Sequence, residues 1–113
     1  MHKWKFPHAG DQPYHYRWVA ELPCMCPWRC GQTGVQVSHS NQSRDGKGGA
    51  MKAHPWAVAA LAPSCHVRID SGKDLSQDER NAAWDHAHIR TLSELFRRGR
   101  LRPVRFLDPS IPE

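Results

Sequence analysis

Three of the four cysteines in this 113-residue chain, Cys24, Cys26 and Cys30, fall within seven residues, and Cys65 lies 35 residues further on. In a reducing compartment, cysteines clustered this way hold a metal more often than they form a bridge. The bland alternative is four small buried hydrophobes brought near one another by chance. The compartment is itself an inference. No apolar run approaches the ~20 residues that a membrane span requires. The opening Met-His-Lys-Trp-Lys-Phe-Pro-His is charged but has no apolar stretch, so it does not read as a secretory signal. A soluble, cytoplasmic protein without a membrane partner is therefore expected.

The length suits one domain over residues 1–113. Sixteen Lys and Arg against eleven Asp and Glu give a net charge of +5, which favours a polyanionic partner, although basic charge alone is a weak signal. Residues 1–13 carry Gly, Pro and charge without a period and read as a loose arm. Tyr14 to Leu22 suits a short helix stopped by Pro23. Cys24 to Gly34 forms a knuckle of Cys, Pro and Gly, and Val35 to His39 alternates as a half-buried strand does. Ser40 to Gly49 is a polar, glycine-rich loop. Pro55 suits a helix first turn, with Trp56 to Leu61 continuing as helix, and Pro63 interrupts. Ser64 is positioned to cap a second helix over Cys65 to Asp70. A long helix runs from about Gln77 to Arg98 inside the segment 76–99, opened by a Ser76/Glu79 capping box and stopped by Gly99. Its apolar stripe is expected to be Ala82, Ile89, Leu92 and Phe96, with Ala83 and Leu95 beside it. Residues 103–113 form a proline-rich tail.

Chemistry concentrates in the middle of the chain. His66 and Asp70 stand four apart, so on a helix both side chains leave one face. Such a pair suits one divalent cation with positions left open, and on spacing alone a plain surface pair competes with that reading. In order, the chain offers a Cys knuckle, a strand ending in His39, a Gly/Lys loop, then Cys-His-x-x-x-Asp. This order resembles the HNH endonucleases of the ββα-metal superfamily, and more narrowly the small phage and prophage nucleases related to the recombination-enhancement nuclease. The matching residues are Cys26 and Cys30-Gly31, His39-Ser40-Asn41, Gly46-Lys47-Gly48 with Lys52, and Cys65-His66-Val67-Arg68-Ile69-Asp70. The likeness spans about residues 22 to 103, since Trp84, Thr91-Leu92, Gly99 and Pro103 also fit.

The resemblance implies an α+β fold. Its zinc-containing ββα-metal core would span residues 24–72, between an N-terminal helix and a long C-terminal one. It implies metal-dependent hydrolysis of DNA phosphodiester bonds in the cytoplasm of a bacterial host, on DNA alone or with a recombinase or other phage protein. His39 would be the general base, a task that suits imidazole at neutral pH. His66 and Asp70 would hold the catalytic Mg or Mn ion, and Asn41 or His54 would orient His39 or the metal-bound water. Arg44, Lys47 and Lys52 fit phosphate contacts, and Arg97 and Arg98 fit either DNA contact or a solvated helix end. Two departures stand out. The family's Cys three positions before Cys-His is Ala62 here, so a structural zinc would take its fourth ligand from the knuckle, giving Cys24, Cys26, Cys30 and Cys65. A His or Asp ligand, or loss of zinc, are the alternatives. The residue before the base, a metal ligand in many members, is Ser38, which leaves two protein ligands for the catalytic ion unless His39 is itself a ligand. Against the nuclease stands a zinc-stabilised nucleic-acid-binding module that no longer cuts.

Overall fold

The structure, a computed structural model, describes residues 14–42, 44 and 54–101. The expected arm, the tail, and Lys47 and Lys52 with their glycines lie outside the described residues. The elements in chain order are α1 (His15–Ala20), β1 (Gln36–His39), β2 (Val58–Leu61), α2 (Pro63–Ser71) and α3 (Gln77–Arg97). The fold is a small α+β arrangement in which β1 and β2 pair antiparallel, His39 opposite Val58 and Ser38 opposite Ala59.

The segment expected to continue as helix through Leu61 is instead β2. Its Val-Ala-Ala-Leu run is buried throughout, because both faces of the strand are covered. Ala57, Ala59 and Leu61 pack with Cys24, Cys26, Cys65, Ile69, Trp84 and Ala87. Val58 and Ala60 pack on the other side with Val19, Leu22, Met25 and Leu95. A strand buried on both faces shows no polar alternation, so alanines that favour helix in isolation concealed it.

Pro63 does not interrupt a helix but begins one. It occupies the first turn of α2, with Ala62 rather than Ser64 as N-cap. Proline suits that position because the N–H it lacks would have had no helical partner. The capping box of α3 forms as its sequence indicates: Ser76 Oγ accepts the Glu79 N–H at 3.1 Å and Glu79 Oε1 accepts the Ser76 N–H at 2.9 Å. Gly99 follows at φ 73°, a left-handed stop.

The buried face of α3 is Ala83, Trp84, Ala87, Thr91 and Leu95, so Ala83 and Leu95, expected beside the stripe, are on it, whereas Ala82 is exposed and Leu92 half-buried. Ile89 and Phe96 are 62% and 49% exposed, so the stripe was centred on the wrong side of the helix. His88 is half-buried: its Nδ1 donates to the Val58 carbonyl at 2.7 Å and its ring stacks on Trp84. With Thr91 Oγ1 accepting the Ala60 N–H, α3 satisfies backbone groups of β2 that face away from β1. Among the described residues no helix is long and apolar enough to cross a membrane.

Candidate metal centre and polar site

The four cysteines come together. Their Sγ atoms all lie within 4.8 Å of one another, and all four thiols are free. Cys24 and Cys26 sit on an extended segment beside β2, where the Met25 N–H donates to the Ala60 carbonyl at 2.8 Å. Alternation along that segment sends Cys24 and Cys26 into one core cluster and Met25 into the other. The Cys-x-Cys spacing therefore works as a strand pair does. A turn through Arg29, at φ 52°, brings Cys30 back. Arg90 of α3 donates to the Cys26 carbonyl at 2.6 Å and clamps the turn from behind. Cys65 arrives from the first turn of α2.

Zinc with bonds of about 2.3 Å in tetrahedral geometry places its sulfurs about 3.8 Å apart, and Cys65 Sγ stands 3.7 Å from Cys30 Sγ. Backbone N–H groups already point at two sulfurs, Ala62 at Cys24 (3.2 Å) and Cys30 at Cys26 (3.5 Å). Such bonds favour the thiolate form that a metal requires. Burial, together with the neighbouring thiols, pushes the Cys65 thiol well above its ordinary range, and burial raises Cys24 as well. Cys30, where the Gln32 backbone is the main influence, is lowered to about 7. Four packed thiols with one ready to ionise suit a cation that lets the others follow. The set fits a soft divalent metal such as zinc, with Ala62 contributing its backbone where the resembled family has a ligand.

The second group of residues lies where β1 ends against α2. His66 Nδ1 is 2.9 Å from Ser38 Oγ, and its Nε2 is 3.5 Å from Asp70 Oδ2. Asn41 donates its side-chain amide to Asp70 Oδ1. Ser38, His66, Asp70 and Asn41 thus form one chain of contacts, hydrogen bonds at its two ends and the 3.5 Å His66–Asp70 approach between them, with the His66 and Asp70 side chains 29% and 40% exposed. The two facing atoms fit two ligands of one hard cation, and Asn41 holds the carboxylate from its other oxygen. Gln42 continues the segment, donating to Asp85 Oδ1 at 2.8 Å, and Arg44 pairs with the same carboxylate. A cavity of about 320 Å³ opens beside Asn41, lined also by Gln42, Arg44, Gln77 and Asn81.

His39 leaves the other side of the strand from Ser38. It is exposed, and its Nε2 lies 3.0 Å from the Tyr16 hydroxyl of α1, the rings meeting edge to face. His54 accepts the Trp56 N–H at its Nδ1. Arg97 and Arg98 both pair with Glu94, holding its carboxyl down to about 2. His15 is buried, its Nε2 donating to the Pro55 carbonyl at 2.7 Å, and burial lowers its pKa. Sequence reasoning weighed Ser38 only as a ligand and passed over Tyr16. Ser38 looked like a poor ligand, yet strand alternation alone turns it to the face opposite His39. Nothing local pairs Tyr16 with a histidine 23 positions away.

Comparison with family models, with curated proteins and with solved structures finds no match to this chain. Its fold and cysteine cluster define a small α+β domain with a candidate four-cysteine metal centre.

Proposed function

We propose that this protein is a divalent-ion-dependent endonuclease of the HNH, or ββα-metal, type, of the kind carried by phages and prophages, acting on DNA in the cytoplasm of a bacterial host. The observation that carries the reading is the chain Ser38–His66–Asp70–Asn41, assembled where a β-β-α succession brings the strand end carrying His39 against a helix. The four cysteines would bind zinc as a structural tie. His66 and Asp70 would hold Mg or Mn, which when bound offsets charge building on the phosphate and the leaving oxygen.

His39 then takes the proton from a water as its oxygen bonds to phosphorus and the bond to the leaving sugar oxygen breaks, a contribution of about 10²–10⁴ in rate. Ser38 keeps His66 turned toward Asp70, and Asn41 keeps the carboxylate in place. The scissile phosphate would cross the strand end between the Ser38 and His39 sides. The amide-lined cavity beside Asn41 is roomy enough for part of the same strand. Arg44 stands at its rim, and Lys47, Lys52, Arg97 and Arg98 are proposed to add phosphate contacts.

The test is cleavage of duplex, single-stranded and branched DNA with Mg or Mn, alongside manganese binding by calorimetry. His39→Ala should lower cutting by at least ~100-fold while leaving manganese and DNA bound. Asp70→Ala should lose both cutting and manganese. Cutting that survives both substitutions would remove these residues from the chemistry. DNA binding with neither manganese binding nor cutting would favour the non-cutting zinc module, the reading that Ser38, standing where the resembled family has a ligand, supports.

A further inference from the structure

We infer that the exposed face of α3 pairs antiparallel with the same face of a second copy of this chain, about a two-fold axis at Ile89. The inference stands apart from the nuclease reading. Ala82, Ile89 and Phe96 are spaced by seven residues, so they share one line along the helix, with Leu92 beside it. That line runs opposite the buried Ala83, Trp84, Ala87, Thr91 and Leu95. Ala82, Ile89 and Phe96 are exposed and Leu92 is half-buried. The large apolar side chains exposed among the described residues are Tyr14, Val67, Ile89 and Phe96, and two of these four stand on this line. Apolar side chains scattered singly are ordinary on a surface, whereas a row along one helix marks a contact face.

Two properties of the face specify a second copy as its occupant. The first is symmetry. A two-fold contact joins one patch to itself, so the patch must complement its own reverse. Ala82 and Phe96 stand equally far from Ile89 on either side. Antiparallel pairing about Ile89 therefore sets Ile89 on Ile89 and the small Ala82 against the large Phe96. Parallel pairing would oppose Phe96 with Phe96 and leave Ala82 facing Ala82. The second property is charge. Residues 77–87 carry Asp78, Glu79 and Asp85 against Arg80, and residues 88–98 carry Arg90, Arg97 and Arg98 against Glu94. In the antiparallel pair, Arg97 of each copy lies over Asn81 of the other, between Asp78 and Asp85. Arg98 also holds Glu94, so Arg97 turning outward leaves that carboxylate with one of its two partners. Acid first and base last suits the dipole of a single helix as well. Charge therefore sets the direction of pairing, and the apolar spacing sets its register. From Ala82 to Phe96 the helix rises about 21 Å. One helix pair over that length is less than the usual interface of about 1,600 Å², so the dimer should be weak, dissociating in the micromolar range.

The experiment is sedimentation equilibrium on the full chain as purified, under reducing conditions, from low to high micromolar concentration. The expected result is a monomer–dimer equilibrium that added salt weakens. Ile89→Lys sets two like charges on the axis and should leave only monomer. Its side chain is exposed, so Tm in dilute solution should stay unchanged. Asp78→Lys should raise Kd about tenfold, and adding Arg97→Glu should recover most of that loss. A chain that is monomeric at every concentration would overturn the inference and turn attention to residues 102–113 as the cover of this face. Dimerisation unaffected by Ile89→Lys would overturn it too, by placing the contact on another surface. An Asp78→Lys loss that Arg97→Glu does not recover would overturn the antiparallel arrangement.

Discussion

Thr91 is fully buried where α3 crosses β2, and its hydroxyl acts in two directions. It accepts the Ala60 N–H at 3.0 Å and donates to the Ala87 carbonyl at 2.7 Å. Ala60 turns this N–H away from β1, so without Thr91 it would be an unpaired donor in an apolar cluster. Thr91→Val keeps the shape of the side chain and removes the acceptor, which should destabilise the protein by about 1–3 kcal/mol. Chemical denaturation should show a lower midpoint at unchanged slope, with faster exchange at the Ala60 amide. A loss below ~0.5 kcal/mol would mean that Ala60 finds another acceptor. Ser38 makes the same point beside the polar site. It looks unhelpful as a ligand, yet it is buried and bonded to His66, so its contribution lies in orienting another side chain.

At the scale of elements, α3 is the part whose ends are written most plainly. Both halves of its capping box are local, three residues apart, and need no knowledge of the fold. Ser76→Ala should remove about 1 kcal/mol and speed exchange in the first turn, while exchange around Leu95 follows only the global change. Equal acceleration along the whole helix would show that the cap stabilises α3 as one unit. The middle of the same helix was less legible. Ile89 and Phe96 are more hydrophobic than Ala83, Ala87 and Thr91, but a helix lying close over an alanine-rich strand selects small residues for the contact. β2 was concealed for the related reason that burial on both faces removes the alternation by which strands are recognised. The cysteines were legible as a cluster because ligand-bearing residues announce themselves by type. Their arrangement, two on one face of an extended segment, one after the turn through Arg29 and one on a helix first turn, depends on pairing with β2 that no local pattern encodes.

Across the whole molecule, the cysteine cluster and the polar site share one element. Cys65 and His66 are adjacent in the first turns of α2, and Asp70 follows one turn later, so whatever fixes Cys65 also sets the angle at which His66 and Asp70 leave the helix. Three of these cysteines, Cys24, Cys26 and Cys65, form one wall of a core that also holds Ala57, Ala59, Ala62, Ala83 and Ala87, which bury little apolar surface each. A metal bridging the knuckle to α2 would replace part of the stabilisation that larger side chains supply elsewhere. The protein should therefore purify with about one zinc per chain. Chelation at neutral pH should lower Tm by ~10 °C or more, the fall expected for a loss of roughly 2–3 kcal/mol in a domain of this size. Cys65→Ser should do the same without chelator. The manganese affinity proposed for His66 and Asp70 should weaken in parallel, because the helix that carries them loses its anchor. Zinc that leaves with Tm and manganese binding unchanged would reduce the cluster to four packed thiols and separate the two sites.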